Sequence, residues 1–553
     1  MADGRAGSIG PVTTVPRALL AIDAGSATTS VALLGKPWKR WRLLGSLAAP
    51  AGAPVDALAA TLAARLLSTD PRMAVELSVA AESVADLPRL ETISGPAPTL
   101  AVLGASRRAV GLLESVAART PWRIRTASPE SHDPREMTEL ALRPEVSAIL
   151  VGAGDPPGPD ERGWLDDLAG LVGAATRRRP ELRVVLAGPV AARAAWAEGA
   201  GRPFDGSQER IVEGPPLGMR SGPDEPLREI LEGLLPNARG TRHTAVRALL
   251  SLADALDRTV ELIDIGLDGG LRAVASPGVA DQGPAAVAVR TAQAALVPGD
   301  VDDAGVDSVL AWTTGSLDRH RMGDRLMDLR LQPWADVSGE GARLRLAATR
   351  AALARLAAQT PDIGAMPSPD VTIVAGGAFA VAPARAVALA LADTIRRPGV
   401  TQLATDHARL LGPIGTIDDP DERRDLVADL ADDLLAPIGS LVVVANVPSG
   451  RRTATRVGRL TLDGDRNGRH DLVAGEVAFV DLPPGDRAFA TLEFRDTVQV
   501  GHRARRVAVP VSGGVAGLTV DLRDVPLRLP ERRDRRRAAL AAWGELAWPG
   551  DER

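Results

Sequence analysis

The 553-residue chain contains no cysteine and no tyrosine. Without cysteine it has no disulfide, no thiolate metal ligand and no cysteine nucleophile, and without tyrosine it has no phenolic acid or base. Lysine is almost as scarce, since Lys36 and Lys39 are the only two. Neither lies in the GxxxxGK[ST] pattern of a P-loop. A kinase-strand or Schiff-base lysine would also have to be one of these two.

Long apolar runs are also missing. No segment approaches the roughly 18 apolar residues that a membrane-spanning helix needs. The N-terminal stretch lacks an apolar core and carries an acid at Asp3, unlike a signal peptide. The net charge of −5 over the whole chain favours neither nucleic acid nor an anionic membrane as a partner. We therefore expect a cytoplasmic protein with neither kind of partner.

The hydrophobic patterns divide the chain into segments and predict an α/β fold class. Apolar strands followed by helices indicate a parallel α/β unit, and short period-two runs split by turn residues indicate antiparallel strands. The predicted segments are a flexible leader at 1–16, a first α/β lobe at 17–97, an inserted Rossmann-like α/β unit at 98–240, a second lobe at 241–435, an antiparallel β domain at 436–526 and a basic helix at 527–553.

The first clear apolar run is ALLAIDAGSATTSVALLG, residues 18–35. It predicts a strand that ends near Asp23, a turn of small residues and a return strand. The turn, Gly25-Ser26-Ala27-Thr28, lacks the Asn-Gly or Asp-Gly corner of a common hairpin. Successive backbone amides in such a turn form an anion-binding concavity. The segment therefore predicts a phosphate site, with an ordinary hairpin as the open alternative.

Two later segments also place small residues in a turn directly after an apolar strand. TVELIDIGLDGGLRAVAS at 259–276 places Asp264 at a strand end before a turn from Gly266 to Gly270, and we interpret it as a weak internal repeat. Farther on, Gly376 and Gly377 separate a strand from a helix, where the backbone is able to approach a flat ligand.

Two strand-end aspartates that face one phosphate chain are suited to a hydrated Mg²⁺, which needs only one or two carboxylates. Asp23 and Asp264 are the candidates, and they would hold the ion through water. The histidines are scattered without the spacing of metal ligands.

In the order phosphate turn, phosphate turn and glycine turn, the chain resembles the superfamily of actin, sugar kinases and DnaK-type chaperone ATPases (ASKHA). Across about 17–548 it further resembles the glutamate mutase L (MutL) family. The stretches that carry this resemblance are ILVGAGDPPGPDE, VTIVAGGAFA, GVTQLATDHARLLGPIGTI and the C-terminal run that begins VSGGVAG. Members are encoded beside adenosylcobalamin-dependent mutases and are inferred to be ATP-using chaperones or reactivases.

The resemblance implies two ribonuclease-H-like, actin-type lobes with ATP and Mg²⁺ bound between them. It also implies a protein partner, such as the cobalamin-dependent glutamate mutase. Asp23 and Asp264 become the predicted catalytic residues. The predicted nucleotide-binding residues are Gly25, Ser26, Ala27 and Thr28 in the first phosphate motif, Gly266 in the second, and Gly376 with Gly377 in the adenosine motif.

The second phosphate loop departs from the family pattern. Instead of Gly-Gly-Ala-Thr-Thr-Asp, the chain has Leu267, Asp268, Gly269 and Gly270 after Gly266. Phosphate-binding hydroxyls are lost and an acid replaces them, although Asp268, Gly269 and Gly270 are still expected at the nucleotide. Three hypotheses stay open: an ATP-using remodelling protein, a nucleotide-binding pseudo-ATPase that regulates or scaffolds a partner, and a small-molecule kinase of the same fold.

Overall fold

The structure is a computed structural model. It describes residues 17–548 apart from 96–97, 118–119, 121, 154–157, 188–210, 214–224, 236–239, 279–285, 293–295, 298–302, 336, 359–367, 396, 449–454, 464–467 and 524. The predicted leader at 1–16 lies outside the described residues. The described residues form a mixed α/β fold, which confirms the predicted class. None of the helices described is both long and apolar enough to cross a bilayer.

The N-terminal sheet has the strand order β3-β2-β1-β4. Its elements are β1 (Ala18–Ala24), β2 (Thr28–Gly35), β3 (Arg42–Pro50), α1 (Val55–Thr69), α2 (Pro71–Glu76) and β4 (Arg89–Ile93). The first three strands form an antiparallel meander, and β4 pairs in parallel with β1. Leu20 and Ile22 of β1 pack with residues of α1, whereas Leu19 and Ala21 pack with residues of the second sheet and its helix. This two-sided burial explains the continuous apolar run of β1.

The unit predicted at 98–240 contains parallel strands in the order β6-β5-β7-β8-β9. Its elements are β5 (Thr99–Gly104), α3 (Arg107–Ala117), β6 (Arg123–Ala127), α4 (Pro134–Leu142), β7 (Val146–Gly152), α5 (Pro159–Arg178), β8 (Arg183–Ala187), β9 (Ile211–Glu213) and α6 (Glu225–Gly233). Alternate residues of β7 pack on opposite faces, Ile149 with α4 and α5 and Leu150 with α3.

A second copy of the N-terminal pairing pattern follows. Its elements are α7 (Thr241–Leu256), β10 (Val260–Ile265), β11 (Gly270–Ser276), β12 (Ala286–Ala292), α8 (Asp303–Leu310), α9 (Arg319–Leu331), α10 (Gly339–Ala358), β13 (Val371–Ala375), α11 (Ala384–Thr394) and β14 (Gly399–Thr405). Strands β10, β11 and β12 form an antiparallel meander, and β13 pairs in parallel with β10. The sequence echo between 18–35 and 259–276 thus corresponds to one topology used twice. The exact lobe boundaries remain predictions.

The C-terminal strands correct one prediction. The remaining elements are α12 (Leu411–Ile414), α13 (Pro420–Asp429), α14 (Ala431–Leu434), β15 (Ala436–Val443), β16 (Arg456–Leu462), β17 (Arg469–Val473), β18 (Val477–Val480), β19 (Arg487–Val500), β20 (His502–Ser512), β21 (Gly517–Asp521) and α15 (Arg533–Ala547). We predicted a separate antiparallel domain from 436, but β15, β18 and β21 continue the large sheet beyond β14, and β15 and β21 are parallel. Among the C-terminal strands that the structure describes, only β16, β17, β19 and β20 form a separate sheet. Period-two patterns indicate strands without naming their partners, and here β15 covers the edge that β14 would otherwise expose.

A buried ion cluster joins this C-terminal extension to the helices of the second repeat. It consists of Arg350 in α10, Asp393 in α11, Asp521 in β21 and Arg523 just after β21, all of them buried. Trp543 of α15 lies on the guanidinium of Arg523, 4.5 Å from it. The cluster therefore ties four elements together at one point.

Candidate functional site

A cavity of about 250 Å³ lies between the two repeated sheets. Ten of the twelve predicted site residues line it: Asp23, Gly25, Ser26, Ala27, Thr28, Asp264, Gly266, Asp268, Gly376 and Gly377. Gly269 and Gly270 are not among its lining residues. The fold therefore brings both strand-end aspartates, both turns and the glycine pair to one place.

The first turn is closed by its own backbone. The Gly25 N–H donates to the Thr28 carbonyl at 2.7 Å, and a Cβ at Gly25 would lie only 2.9 Å from that oxygen. The Trp334 indole N–H, from the segment after α9, donates to the Ala27 carbonyl at 2.5 Å. This bond joins the turn to the far side of the cavity. No sequence signal pointed to Trp334.

Asp23 is a buried carboxylate, 6% exposed, held by the neighbouring strand. Its Oδ1 accepts hydrogen bonds from the hydroxyls of Thr92, at 3.2 Å, and Ser94, at 3.4 Å. Its Oδ2 lies 3.9 Å from Nη1 of Arg409. Both hydroxyls belong to β4 or its end, and only the parallel pairing of β4 with β1 brings them to Asp23.

The second turn packs against an arginine that the sequence motifs did not reveal. The Gly266 N–H donates to the Gly269 carbonyl at 2.9 Å, which closes the turn. A Cβ at Gly269 would lie 2.8 Å from Nη2 of Arg242, whose side chain comes from the first turn of α7 and lines the cavity. Gly270 pairs with Ile265 as the first residue of β11. Gly269 and Gly270 thus serve the packing of the turn.

The glycine turn after β13 requires its first glycine. Gly376 has φ +89°, in the region that favours glycine. A Cβ at this position would overlap the Ile265 carbonyl oxygen and Oδ1 of Asp264. At Gly377 the corresponding atom would meet nothing nearer than Arg409 Nη2, at 3.5 Å. Close approach to β10 therefore depends on Gly376 alone.

The charges in the cavity are coupled. Burial raises the pKa of Asp264, Arg242 opposes that shift, and Asp23 adds to it. Burial lowers the pKa of Arg242, against the attraction of Asp264, Asp268 and Asp23. The cavity thus combines carboxylates with a partly buried guanidinium in a small volume.

Asp406 is a third strand-end carboxylate in the cavity, which our sequence reasoning missed. It directly follows β14, is 5% exposed, and accepts hydrogen bonds from the backbone N–H groups of Leu410 and Leu411 at 2.8 and 3.1 Å. Burial raises its pKa to about 6, although those two bonds lower it. The signal was available, since an apolar strand pattern ends at this residue.

The contributions of Asp406 and His243 to folding stability change with pH in opposite directions. The folded state favours protonated Asp406, so its contribution to stability is present below pH 4 and is lost as the pH rises toward about 6. Burial, with Arg247 and Arg228, lowers the pKa of His243 to about 4, so its contribution is present above pH 6.5 and is lost as the pH falls. Each corresponds to at most about 3 kcal/mol.

We therefore expect the two trends to offset each other in the wild type between pH 4 and 6.5. In Asp406→Asn the thermal midpoint should rise with pH across this range, and in His243→Gln it should fall. Thermal unfolding at half-unit pH steps measures both slopes. Equal slopes in the two variants would contradict these assignments.

The side chains that line the cavity are poorly suited to bind a metal ion in the absence of nucleotide. No group of three or more histidine or acidic side chains among the described residues is arranged to hold a metal ion. Asp23 and Asp264 provide two carboxylates, which suffice for a hydrated Mg²⁺, but Arg242 and Arg409 bring positive charge to the same carboxylates. Arg242 and Arg409 thus place positive charge near the two carboxylates that a divalent ion would need.

No family model and no curated protein matches the chain. Among solved structures, it is similar to one titled as a PilM–PilN type IV pilus biogenesis complex, with TM-score 0.23 and 13% identity over 75% of this chain and 98% of that one. A carbohydrate kinase from Novosphingobium aromaticivorans matches with TM-score 0.23 and 14% identity over 76% and 100% of the two chains. A reductive activator for a corrinoid, iron-sulfur protein matches with TM-score 0.21 and 14% identity over 75% and 63%.

TM-scores this low carry no argument about what the chain does. The glutamate mutase L resemblance therefore stays a prediction. The repeated strand order and the cavity at the two turns are observations of the structure itself, and the proposals below rest on them.

Proposed function

We propose that the cavity binds ATP, with the phosphates between the first turn, 25–28, and the second turn, 266–268, and the adenosine beside Gly376 and Gly377. The observation that carries this proposal is the convergence of two strand-end aspartates, their turns and a glycine turn on one cavity between two four-strand groups with the same pairing pattern. Backbone amides in tight turns are suited to phosphate oxygens, and the glycine turn at 376–377 lines the same cavity as the two turns.

The proposed role is nucleotide-dependent remodelling of a protein partner. The hydrogen bond from Trp334 to Ala27 supports it, because it joins the two sides of the cavity and gives nucleotide binding a contact to make or break. The resemblance to the glutamate mutase L family supports a cobalamin-dependent mutase as the partner. The catalytic assignment of Asp23 and Asp264 remains a prediction.

A second candidate is a pseudo-ATPase, which binds nucleotide without efficient turnover. Asp268 favours it, because this carboxylate lines the cavity where the related loops carry hydroxyls. We then expect slow phosphate release and ADP binding at least as tight as ATP binding. Brisk phosphate release by the wild-type protein would exclude this candidate.

Ser26 offers a matched test of the phosphate site, because it is exposed and lines the cavity in the first turn. Ser26→Asp adds a negative charge, whereas Ser26→Asn has nearly the same shape without it. Close like charges at effective dielectrics between water and a protein surface cost about 1 to 4 kcal/mol, so ATP binding to the Asp variant should weaken by about tenfold or more.

Isothermal titration of both variants with ATP and with adenosine makes the measurement. We expect Ser26→Asn to bind ATP nearly as the wild type does and Ser26→Asp to retain its adenosine affinity. Equal ATP affinities of the two variants would refute phosphate binding at this turn.

A further inference from the structure

The cationic side chain of Arg242 lines the same cavity as several acidic side chains. Its side chain lines the cavity together with Asp23, Asp264 and Asp268. All three carboxylates raise the pKa of Arg242 against the lowering effect of its burial. The guanidinium thus shares the cavity with the acids that would otherwise repel a polyphosphate.

The fold fixes this guanidinium in position. Its Nη1 donates to the Gly95 carbonyl at 2.6 Å, and Gly269 packs so closely on Nη2 that a Cβ would lie 2.8 Å from it. The Nε atom is buried and has no hydrogen-bond partner. Arg242 therefore keeps one unused buried donor and a fixed location under the second turn.

We propose that Arg242 is the phosphate-binding cation of this site and takes the charge-balancing role of Mg²⁺, so that ATP binds without a divalent metal. This inference rests on the proposed function. It accounts for Asp268, because the added acid of the second turn lies beside a guanidinium of the same chain. It also accounts for the poor fit of a metal to the donor set.

An arginine suits this role for a chemical reason. Its planar guanidinium binds phosphate oxygens through two parallel N–H bonds and stays charged even when buried. A divalent ion placed among the same three carboxylates would meet the positive charge of Arg242 at close range. The guanidinium and a metal ion therefore compete for one position.

The first test needs no nucleotide. Mn²⁺ binding to the full-length protein is measured by electron paramagnetic resonance for the wild type, Arg242→Gln and the control Arg247→Gln. Arg247 lies on the same helix but outside the cavity and pairs with the exposed Asp418 at 3.2 Å. We expect Arg242→Gln to gain a Mn²⁺ site that is at least about tenfold tighter than any site in the wild type or the control. Equally weak Mn²⁺ binding by all three proteins, or a tight site in the wild type, would overturn the inference.

The second test compares ATP titrations in EDTA and in Mg²⁺. We expect the wild-type affinities to agree within about threefold, and Arg242→Gln to lose about tenfold or more in EDTA and to recover with Mg²⁺. Arg242→Lys keeps the charge but loses the two parallel N–H groups, so it should bind ATP in EDTA more tightly than Arg242→Gln and more weakly than the wild type, which separates charge from folding. Wild-type binding that requires Mg²⁺ would overturn this inference and leave the proposed function standing. Absence of ATP binding in both buffers would overturn both.

Discussion

Arg523→Leu is expected to lower the free energy of unfolding by about 3 to 5 kcal/mol, because it removes the guanidinium that faces the buried carboxylate of Asp521. Arg523 is 2% exposed and Asp521 is fully buried. Nη1 of Arg523 lies 2.7 Å from Asp393 Oδ1, and Nη2 lies 2.8 Å from Asp521 Oδ2. Burial alone would lower the pKa of Arg523, but Asp393 and Asp521 outweigh it and raise the pKa.

The rest of the buried ion cluster cannot compensate for this loss. Arg350 lies 2.6 Å from Asp393 through its Nε, so one carboxylate keeps a partner. Asp521 loses its guanidinium, and Trp543 loses the cation on its ring. Removing one partner of a buried ion pair costs about 3 to 5 kcal/mol. The loss should loosen the contact between α15, β21 and α11.

Arg532→Leu is the matched control. Its pair with Asp534 is as short, at 2.8 Å, but both side chains are about two-thirds exposed, 66% and 65%, and such surface pairs contribute about 0 to 1 kcal/mol. Urea unfolding of both variants, followed by tryptophan fluorescence, makes the comparison. Equal loss of stability in the two variants, or no loss in Arg523→Leu, would show that the burial of this cluster does not increase its contribution to the free energy of unfolding.

Gly376→Ala is expected to abolish or strongly weaken ATP binding. An alanine at φ +89° costs about 1 to 3 kcal/mol in backbone strain. Its Cβ would also overlap the Ile265 carbonyl and the carboxylate of Asp264, so the glycine turn must move away from β10. The cavity would then lose its alignment between the second turn and the glycine turn, and ATP affinity should fall by about tenfold or more.

Gly475→Ala controls for the backbone strain, because Gly475 also has a positive φ, +79°, but lies outside the cavity. A Cβ there would meet nothing within 4 Å, so its ATP affinity should stay within about threefold of the wild type. Titration of ATP into both variants, with circular dichroism to confirm folding, makes the comparison. A folded Gly376→Ala variant with wild-type affinity would remove Gly376 from the nucleotide site.

Much of the site was visible in the sequence because its parts lie in short local patterns. Asp23 with its turn and Asp264 with its turn could be recognised as strand ends followed by small residues. The glycine at 376 marked a close approach that the structure places against β10. Local spacing could not reveal Thr92 and Ser94, which reach Asp23 only through parallel pairing of β4 with β1.

Arg242 and the C-terminal strands show the other limit. Arg242 lies 22 positions before Asp264 on a helix, and nothing in its neighbours distinguishes it from the many arginines of this chain. For 436–526 the period-two runs predicted strands correctly but not their partners, so β15 and β21 looked independent of a sheet that they extend. Pairing between distant strands is decided by packing, which composition and period do not encode.

Photo-crosslinking with 8-azido-ATP tests the central claim most directly, because it asks where the nucleotide lies. The full-length wild-type protein is labelled with increasing probe, in the presence and absence of excess ATP, and the labelled peptides are identified by mass spectrometry. We predict saturable labelling that excess ATP suppresses, within the cavity-lining segments 375–381 and 406–412. Labelling elsewhere, or labelling that neither saturates nor responds to ATP, would contradict an ATP site between the two repeated sheets.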